Sequence, residues 1–274
     1  MKEYVDIINI VLPLFYLITF GVYTYDFIAE KSRLSHAKRV FLFINLLLHI
    51  KFIVIRSLYV GHFPITNVFE IFSVLACACI FSYFVLELLT DVRGTGPFII
   101  IISFLFQAIS STFIKDEPGI KEILKSNLLG THVITALLGY SAITISAVYG
   151  FLYLMLYKEI KQNKFGIIFN KLPNLEILEK LSYYSAFIGF VFLSLAIFIG
   201  IIWLPRAFPS FSYADPKLIG TGIVWLLYGG GILSKILVRW RGKKMIILSI
   251  IGFITAILST LLTNFIAKSF HSFY

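Results

Sequence analysis

Charged residues are scarce in this 274-residue chain. Asp, Glu, Lys and Arg make up 14% of it, where a soluble domain carries about a quarter. With 59% apolar residues and a mean hydropathy of +0.91, that scarcity excludes an ordinary water-soluble globule and calls for lipid as solvent. Acids are scarcer than bases, 14 against 24, which leaves a net charge of +10. The bases sit in short clusters between apolar runs, the pattern of membrane topology rather than of nucleic-acid binding, and no nucleic-acid partner is expected. Cysteine is nearly absent. Cys77 and Cys79 stand two apart in one apolar run, where on a helix they point in different directions and do not meet disulfide geometry. There is no CxxC pair, so the two are read as inert buried thiols before any redox or metal role. Also lacking are a phosphate loop, an HExxH pair and a nucleophile beside a base, so nothing argues for an enzyme. No soluble domain, internal repeat or low-complexity tract interrupts the apolar runs. The start lacks the basic region and small-residue cleavage site of a signal peptide, so the first run is expected to be a retained span.

What is present is a series of long apolar runs. About 20 such residues cross the ~30 Å hydrocarbon core as a helix, and helices are forced because lipid satisfies no backbone hydrogen bond. Eight runs qualify, over roughly 7–27, 40–60, 67–90, 97–114, 129–157, 184–204, 218–238 and 245–267. The expected fold is all-α: a polytopic membrane helix bundle of about eight transmembrane helices forming a single integral membrane domain. The fourth run is short and the fifth is long enough to project beyond the bilayer. The connections after the first, third, fifth and seventh runs hold fourteen bases, against seven on the opposite side. The positive-inside rule places the first set in the cytoplasm. Both termini and segments 61–66, 115–127 and 205–217 are then extracytoplasmic. In the cytoplasmic connection 158–183, residues Asn174 to Leu181 read as a short amphipathic surface helix, with a plain basic linker as the blander alternative.

Five histidines remain to be placed. His36 lies among cytoplasmic bases and is expected to be solvated. His49 is in mid-span, where an ionisable group is costly and often functional, although a neutral imidazole also hydrogen-bonds to a neighbouring helix. His62, in Gly61-His62-Phe63-Pro64, is read as a loop residue. His132, in Gly130-Thr131-His132-Val133, and His271, just past the last run, each fall at an outer span end. Haem iron takes an imidazole from each face, so a pair of outer histidines suits such a metal-centred planar cofactor.

Arg56 and Glu70 lie inside the second and third runs. Buried charges in spans normally pair, and an Arg56–Glu70 ion pair is expected, with Arg56 alternatively meeting an anionic group such as a propionate. Asn67 and Glu70 have the spacing of a helix N-cap and its third residue. The outer loop from Trp203 to Lys217 is rich in aromatics. Trp203, Phe208, Phe211 and Tyr213 suit a shelf for a flat ligand, with Arg206 nearby, although interfacial aromatics also form ordinary anchoring belts. Asp215 and Pro216 read as the N-cap and first residue of the seventh span. Gly229, Gly230 and Gly231 inside that span suit close helix packing.

These residues resemble the cytochrome c assembly family of haem-handling membrane proteins, of the CcsA and HemX type. The resemblance runs through Arg56…Gly61-His62-Phe63-Pro64…Asn67…Glu70, through Thr131-His132-Val133…Gly139-Tyr140, and through Trp240-Arg241-Gly242-Lys243-Lys244…Ile251-Gly252-Phe253…Asn264…His271-Ser272. It implies that His132 and His271 are axial ligands of non-covalent, b-type haem presented outside the membrane. Trp203, Phe208, Phe211 and Tyr213 would support the ring, and Arg56 or Arg206 would meet a propionate. It further implies a multi-pass protein of the inner (cytoplasmic) cell membrane, working with a second membrane subunit of a cytochrome c assembly system or with a haem-pathway enzyme. At most it is a component of a haem lyase or cytochrome c synthetase system. The chain departs from the family's tryptophan-rich loop, WGxxWxWDPKExW. Aligned on Asp215-Pro216-Lys217, its tryptophans fall on Phe208, Ser212, Ala214 and Gly220, and its glutamate falls on Leu218. A histidine that the family carries in the next span falls on Leu233. This favours the HemX-like branch, linked to haem biosynthesis or its regulation. A small-molecule exporter is the weakest reading, because broken paired spans are missing.

Overall fold

A computed structural model describes residues 1–29, 34, 37–92, 94–116, 126–207, 212 and 214–265, without the side chains of residues 206, 207, 264 and 265. The described residues are helical, with no strand among them. The helices are α1 (Lys2–Ile28), α2 (Ala37–Val60), α3 (Val68–Thr90), α4 (Gly96–Phe113), α5 (Asn127–Lys161), α6 (Ile167–Lys171), α7 (Leu175–Ala207), α8 (Pro216–Leu237) and α9 (Lys243–Phe265). All except the five-residue α6 are long and apolar enough to cross a membrane.

The helix ends follow from the residues found there. α2 stops where Gly61 turns left-handed at φ 78°, a conformation glycine adopts without strain. α3 starts where Asn67 Oδ1 accepts the Glu70 N–H at 2.8 Å, so Asn67 is the expected N-cap. α8 starts in the same way, with Asp215 Oδ1 accepting the Lys217 N–H at 2.8 Å and Pro216 as the first helical residue.

Two helices are much longer than a span needs, α5 as expected and α7 beyond its predicted 184–204. α5 has 35 residues and α7 has 33, each about 50 Å long at ~1.5 Å per residue, well beyond the hydrocarbon core. The segment from Asn174 to Leu181 is therefore not a separate surface helix. Asn174 Oδ1 caps the Ile177 N–H at 2.9 Å, and the helix runs unbroken from Leu175 into the apolar span. No proline or glycine lies between 175 and 188 to break it. The separate short helix in this connection is α6.

The chain forms two compact units, Met1–Gly130 with Asn170–Leu172, and Thr131–Phe169 with Pro173–Tyr274. In the first, α1 packs on α2, α2 on α3, α3 on α4 and α4 back on α1, closing a four-helix ring. Lipid offers polar groups no partner, so they pair inside that ring. At the end predicted to be cytoplasmic, Lys38 pairs with Asp26, Arg39 binds Glu87 at 3.2 Å and Asp91 at 2.7 Å, and the Tyr23 hydroxyl donates to Glu87 at 2.9 Å. Cys77 and Cys79 are buried free thiols.

In the second unit α7, α8 and α9 pack on one another around Ile143, Leu193, Val224, Tyr228 and Ala256. All ten residues from 141 to 150 of α5 are buried. α5 and α7 approach through small residues. A Cβ on Gly139 would come 3.0 Å from Leu193, and one on Gly189 would come 2.8 Å from Ile143. Ser146 of α5 bonds to Ser182 of α7 and to Ser249 of α9, at 2.7 Å to the Ser182 carbonyl and 2.6 Å to the Ser249 hydroxyl. The α8 glycines pack as expected at two positions. A Cβ on Gly229 would meet Phe190 at 2.9 Å and one on Gly231 would meet Leu248 at 2.7 Å, while Gly230 faces open space.

Candidate functional site

His132 sits in the second turn of α5, at the span end predicted to be outer. Its Nδ1 lies 2.8 Å from the backbone oxygen of Ala196 on α7. A carbonyl only accepts, so Nδ1 carries the proton and Nε2 keeps the lone pair. No described residue bonds to Nε2. In a helix the Ala196 carbonyl also serves the N–H four residues on, which belongs to Gly200. It takes the imidazole on its second lone pair. Gly200 leaves room for this, because a Cβ there would come 3.1 Å from His132 Cε1 and 3.3 Å from Nδ1. The imidazole is fixed in tautomer and orientation by a backbone acceptor, as metal-ligating histidines are.

Trp203 extends the same stripe. Residues 196, 200 and 203 stand at i, i+4 and i+7, one face of α7. Trp203 is buried, at 6% exposure, one turn beyond Gly200 toward the predicted outer end. A second tryptophan lies further along the unit. Trp225 of α8 stacks on Phe190 with ring centroids 5.3 Å apart and donates its indole N–H to Ser194 Oγ at 2.8 Å, a packing role. His271, Phe208, Phe211 and Tyr213, and the side chain of Arg206, lie outside the described residues, as does His36.

The other histidines belong to the first unit. His49 is fully buried and doubly bonded. Its Nδ1 is 2.8 Å from the Tyr16 hydroxyl and its Nε2 is 3.0 Å from Ser73 Oγ. Ser73 donates its single proton to Gln107 Oε1 at 2.9 Å, and Gln107 donates to Ser111 Oγ at 2.9 Å. Ser73 must then accept from His49 Nε2–H, which makes Nδ1 the acceptor for Tyr16. Both ring nitrogens are used, so His49 is a neutral link joining α1, α2 and α3, the second of the two readings weighed for it. His62 Nδ1 bonds to the Phe63 carbonyl at 3.0 Å, while its Nε2 is buried without a partner among the described residues.

Arg56 pairs with Glu70 as expected, through Nε at 2.9 Å and Nη2 at 2.8 Å, with both side chains buried. The second carboxylate oxygen of Glu70 accepts the Thr66 N–H and hydroxyl, each at 2.9 Å. Glu70 thus ties α2 to the turn before α3 and has no oxygen to spare. Arg56 also reaches Asp116 Oδ1 at 3.5 Å and the Lys115 carbonyl at 3.4 Å, and the Tyr59 hydroxyl donates to Asp116 Oδ2 at 3.0 Å. Asp215 and Pro216 make the helix cap described above. No cluster of three or more His, Cys, Asp or Glu that would hold a bare metal ion occurs among the described residues.

Sequence reasoning did not reach the Ala196 carbonyl, Gly200, Tyr59 or Asp116. The small residues Ala196 and Gly200, four apart, are the pattern that brings helices close, and that signal pointed to a contact on this stripe of α7.

The sequence matches the family described as "Cytochrome C assembly protein" over residues 9–271. The chain belongs to that family. Its relatives include proteins named "Cytochrome c biogenesis protein CcsA". That of Guillardia theta is 30% identical over 233 residues, covering 78% of this chain and 77% of the relative. One from Prochlorococcus marinus is 28% identical over 279 residues, covering 90% and 86%. Another Prochlorococcus relative is 26% identical over 298 residues, covering 99% and 94%. This is therefore a multi-pass membrane protein of the cytochrome c assembly family, as its eight apolar helices require.

Proposed function

We propose that this assembly-family protein holds haem non-covalently at its extracytoplasmic face, in the cytoplasmic membrane, for cytochrome c biogenesis. One observation carries the reading: His132 is anchored through Nδ1–H on the Ala196 carbonyl, with Nε2 left as a lone-pair donor. That is the donor chemistry an axial haem ligand needs. Bound haem would supply an iron centre that accepts imidazole on each face. His132 and His271 are the residues that would hold that iron. Trp203, on the same stripe of α7 as Gly200, would support the ring together with Phe208, Phe211 and Tyr213. Arg206, three residues beyond Trp203, is assigned to a propionate. Arg56 is not assigned to a propionate, because Glu70 already holds its guanidinium. The partner is a second membrane subunit of the assembly system, which passes on or receives the haem.

A second reading is favoured by the loop itself, where Phe208, Ser212, Ala214 and Gly220 stand in place of the family's tryptophans. It makes the chain a HemX-like membrane regulator that docks a haem-pathway enzyme through its cytoplasmic basic connection. Haem titration of the purified protein in detergent separates the two. The first reading expects a saturable Soret band that His132→Ala with His271→Ala removes. A protein that takes up no haem supports the regulator.

A further inference from the structure

The first unit holds a polar cavity of about 250 Å³ beside the α2–α3 turn, room for several waters at ~30 Å³ each or for one small molecule. Arg56, Tyr59, His62, Glu70, Lys115 and Asp116 face it. Its lining carries two cations and two carboxylates, so a lone anion meets Asp116 and a lone cation meets Arg56.

The hydrogen-bond inventory is more specific than the charge. Glu70 is saturated, which fixes Arg56 through Nε and Nη2. Among the described residues, the Nη1 edge of Arg56 has only the 3.5 Å contact to Asp116, longer than the ~2.7–3.2 Å of a good N–H···O bond. It needs an acceptor. His62 Nδ1 is committed to the Phe63 carbonyl, so its buried, unpaired Nε2 bears a lone pair and needs a donor. Asp116 Oδ1, held among the described residues only by that long contact, also accepts a donor. Among the described residues, one wall thus offers a donor edge held only by a long contact, and the other offers the unpartnered acceptor of His62 beside Asp116.

We propose that this cavity binds a zwitterion, a molecule with an ammonium group a few bonds from a carboxylate or phosphate. The oxyanion docks on the Nη1 edge of Arg56, with Lys115 at the rim. The ammonium donates to His62 Nε2 and to Asp116, which the Tyr59 hydroxyl holds at 3.0 Å. Two sources carry this chemistry: a free amino acid or phosphoamine, and the head group of phosphatidylethanolamine, whose level the span ends reach. The assignment is independent of haem.

The test uses the full chain purified in detergent and followed by calorimetry and thermal unfolding. The probes are O-phosphoethanolamine and β-alanine as soluble zwitterions, with acetate, methylammonium and glycerol as partial mimics. A parallel arm compares lipid retained from phosphatidylethanolamine and phosphatidylglycerol nanodiscs by native mass spectrometry. A zwitterion is expected to bind and raise Tm. His62→Ala and Asp116→Asn are each expected to weaken it by about tenfold or more, the scale of a lost hydrogen bond to a charged group, without lowering the ligand-free Tm by more than a few degrees. Binding by the soluble probes identifies a free metabolite. Selective retention of phosphatidylethanolamine alone, lost in the same variants, identifies the head group. The proposal is overturned if no zwitterion of either kind binds, if a partial mimic binds as tightly, or if the two variants bind unchanged.

Discussion

Gly200 lies against the ring of His132, leaving no space for a side chain between them. A Cβ at Gly200 would come 3.1 Å from Cε1, closer than all but a small fraction of real contacts. The glycine therefore exposes the Ala196 carbonyl that orients the imidazole. Gly200→Ala asks the ring to move by a few tenths of an ångström, and Gly200→Leu forces it off the carbonyl. In a haem titration, Gly200→Ala is expected to weaken uptake several-fold and Gly200→Leu to abolish the component that depends on His132. Equal uptake by wild type and Gly200→Leu would separate His132 from the haem site.

The Arg56–Glu70 pair is expected to behave as a buried ion pair. Glu70→Ala leaves the buried guanidinium with the longer 3.5 Å contact to the more exposed Asp116 and costs about 3–5 kcal/mol. Arg56→Met together with Glu70→Gln costs less than the sum of the two single changes. Unfolding in mixed micelles measures the cycle, and additive effects would contradict the pairing.

His49 is expected to matter for stability and not for haem. His49→Leu strands the Tyr16 hydroxyl and removes the donor to Ser73, a cost of about 1–3 kcal/mol. Chemical unfolding should report that loss while the Soret spectrum stays unchanged. A changed spectrum would give His49 a role at the cofactor.

Asp215 separates a helix cap from a ligand contact. Asp215→Ala removes the acceptor of the Lys217 N–H and is expected to lower stability by about 1 kcal/mol. Asp215→Asn keeps the cap and restores it. Haem affinity within twofold in both variants fits the cap, whereas a tenfold loss in Asp215→Asn would place Asp215 at the cofactor.

The spans were legible because lipid leaves a run such as 97–114 no structure other than a helix. The projection of α5 beyond the bilayer was legible too, but the N-terminal extension of α7 was not. Beyond the hydrocarbon core, Glu176, Glu179 and Lys180 interrupt the hydropathy without interrupting the helix, since nothing there breaks the backbone ladder. Asn67 and Asp215 were read correctly as caps because their partners are two or three residues away, and the Arg56–Glu70 pair because two buried charges in lipid have few alternatives. The setting of His132 stayed hidden for the opposite reason. Its partner is a backbone carbonyl 64 residues away, and the small pair Ala196 and Gly200 signals a close helix contact without saying which side chain fills it. The orphan nitrogen of His62 was equally invisible, because a loop histidine and a cavity histidine have the same letter.

The central claim is that the Nε2 lone pair of His132 meets haem iron with His271 opposite, and electron paramagnetic resonance of the ferric, haem-loaded protein tests it most directly. The wild type should give a low-spin, bis-imidazole signal. His132→Gly and His271→Gly should each convert it to high spin, and added imidazole should restore the low-spin signal. A low-spin signal that survives His132→Gly without imidazole would contradict the claim.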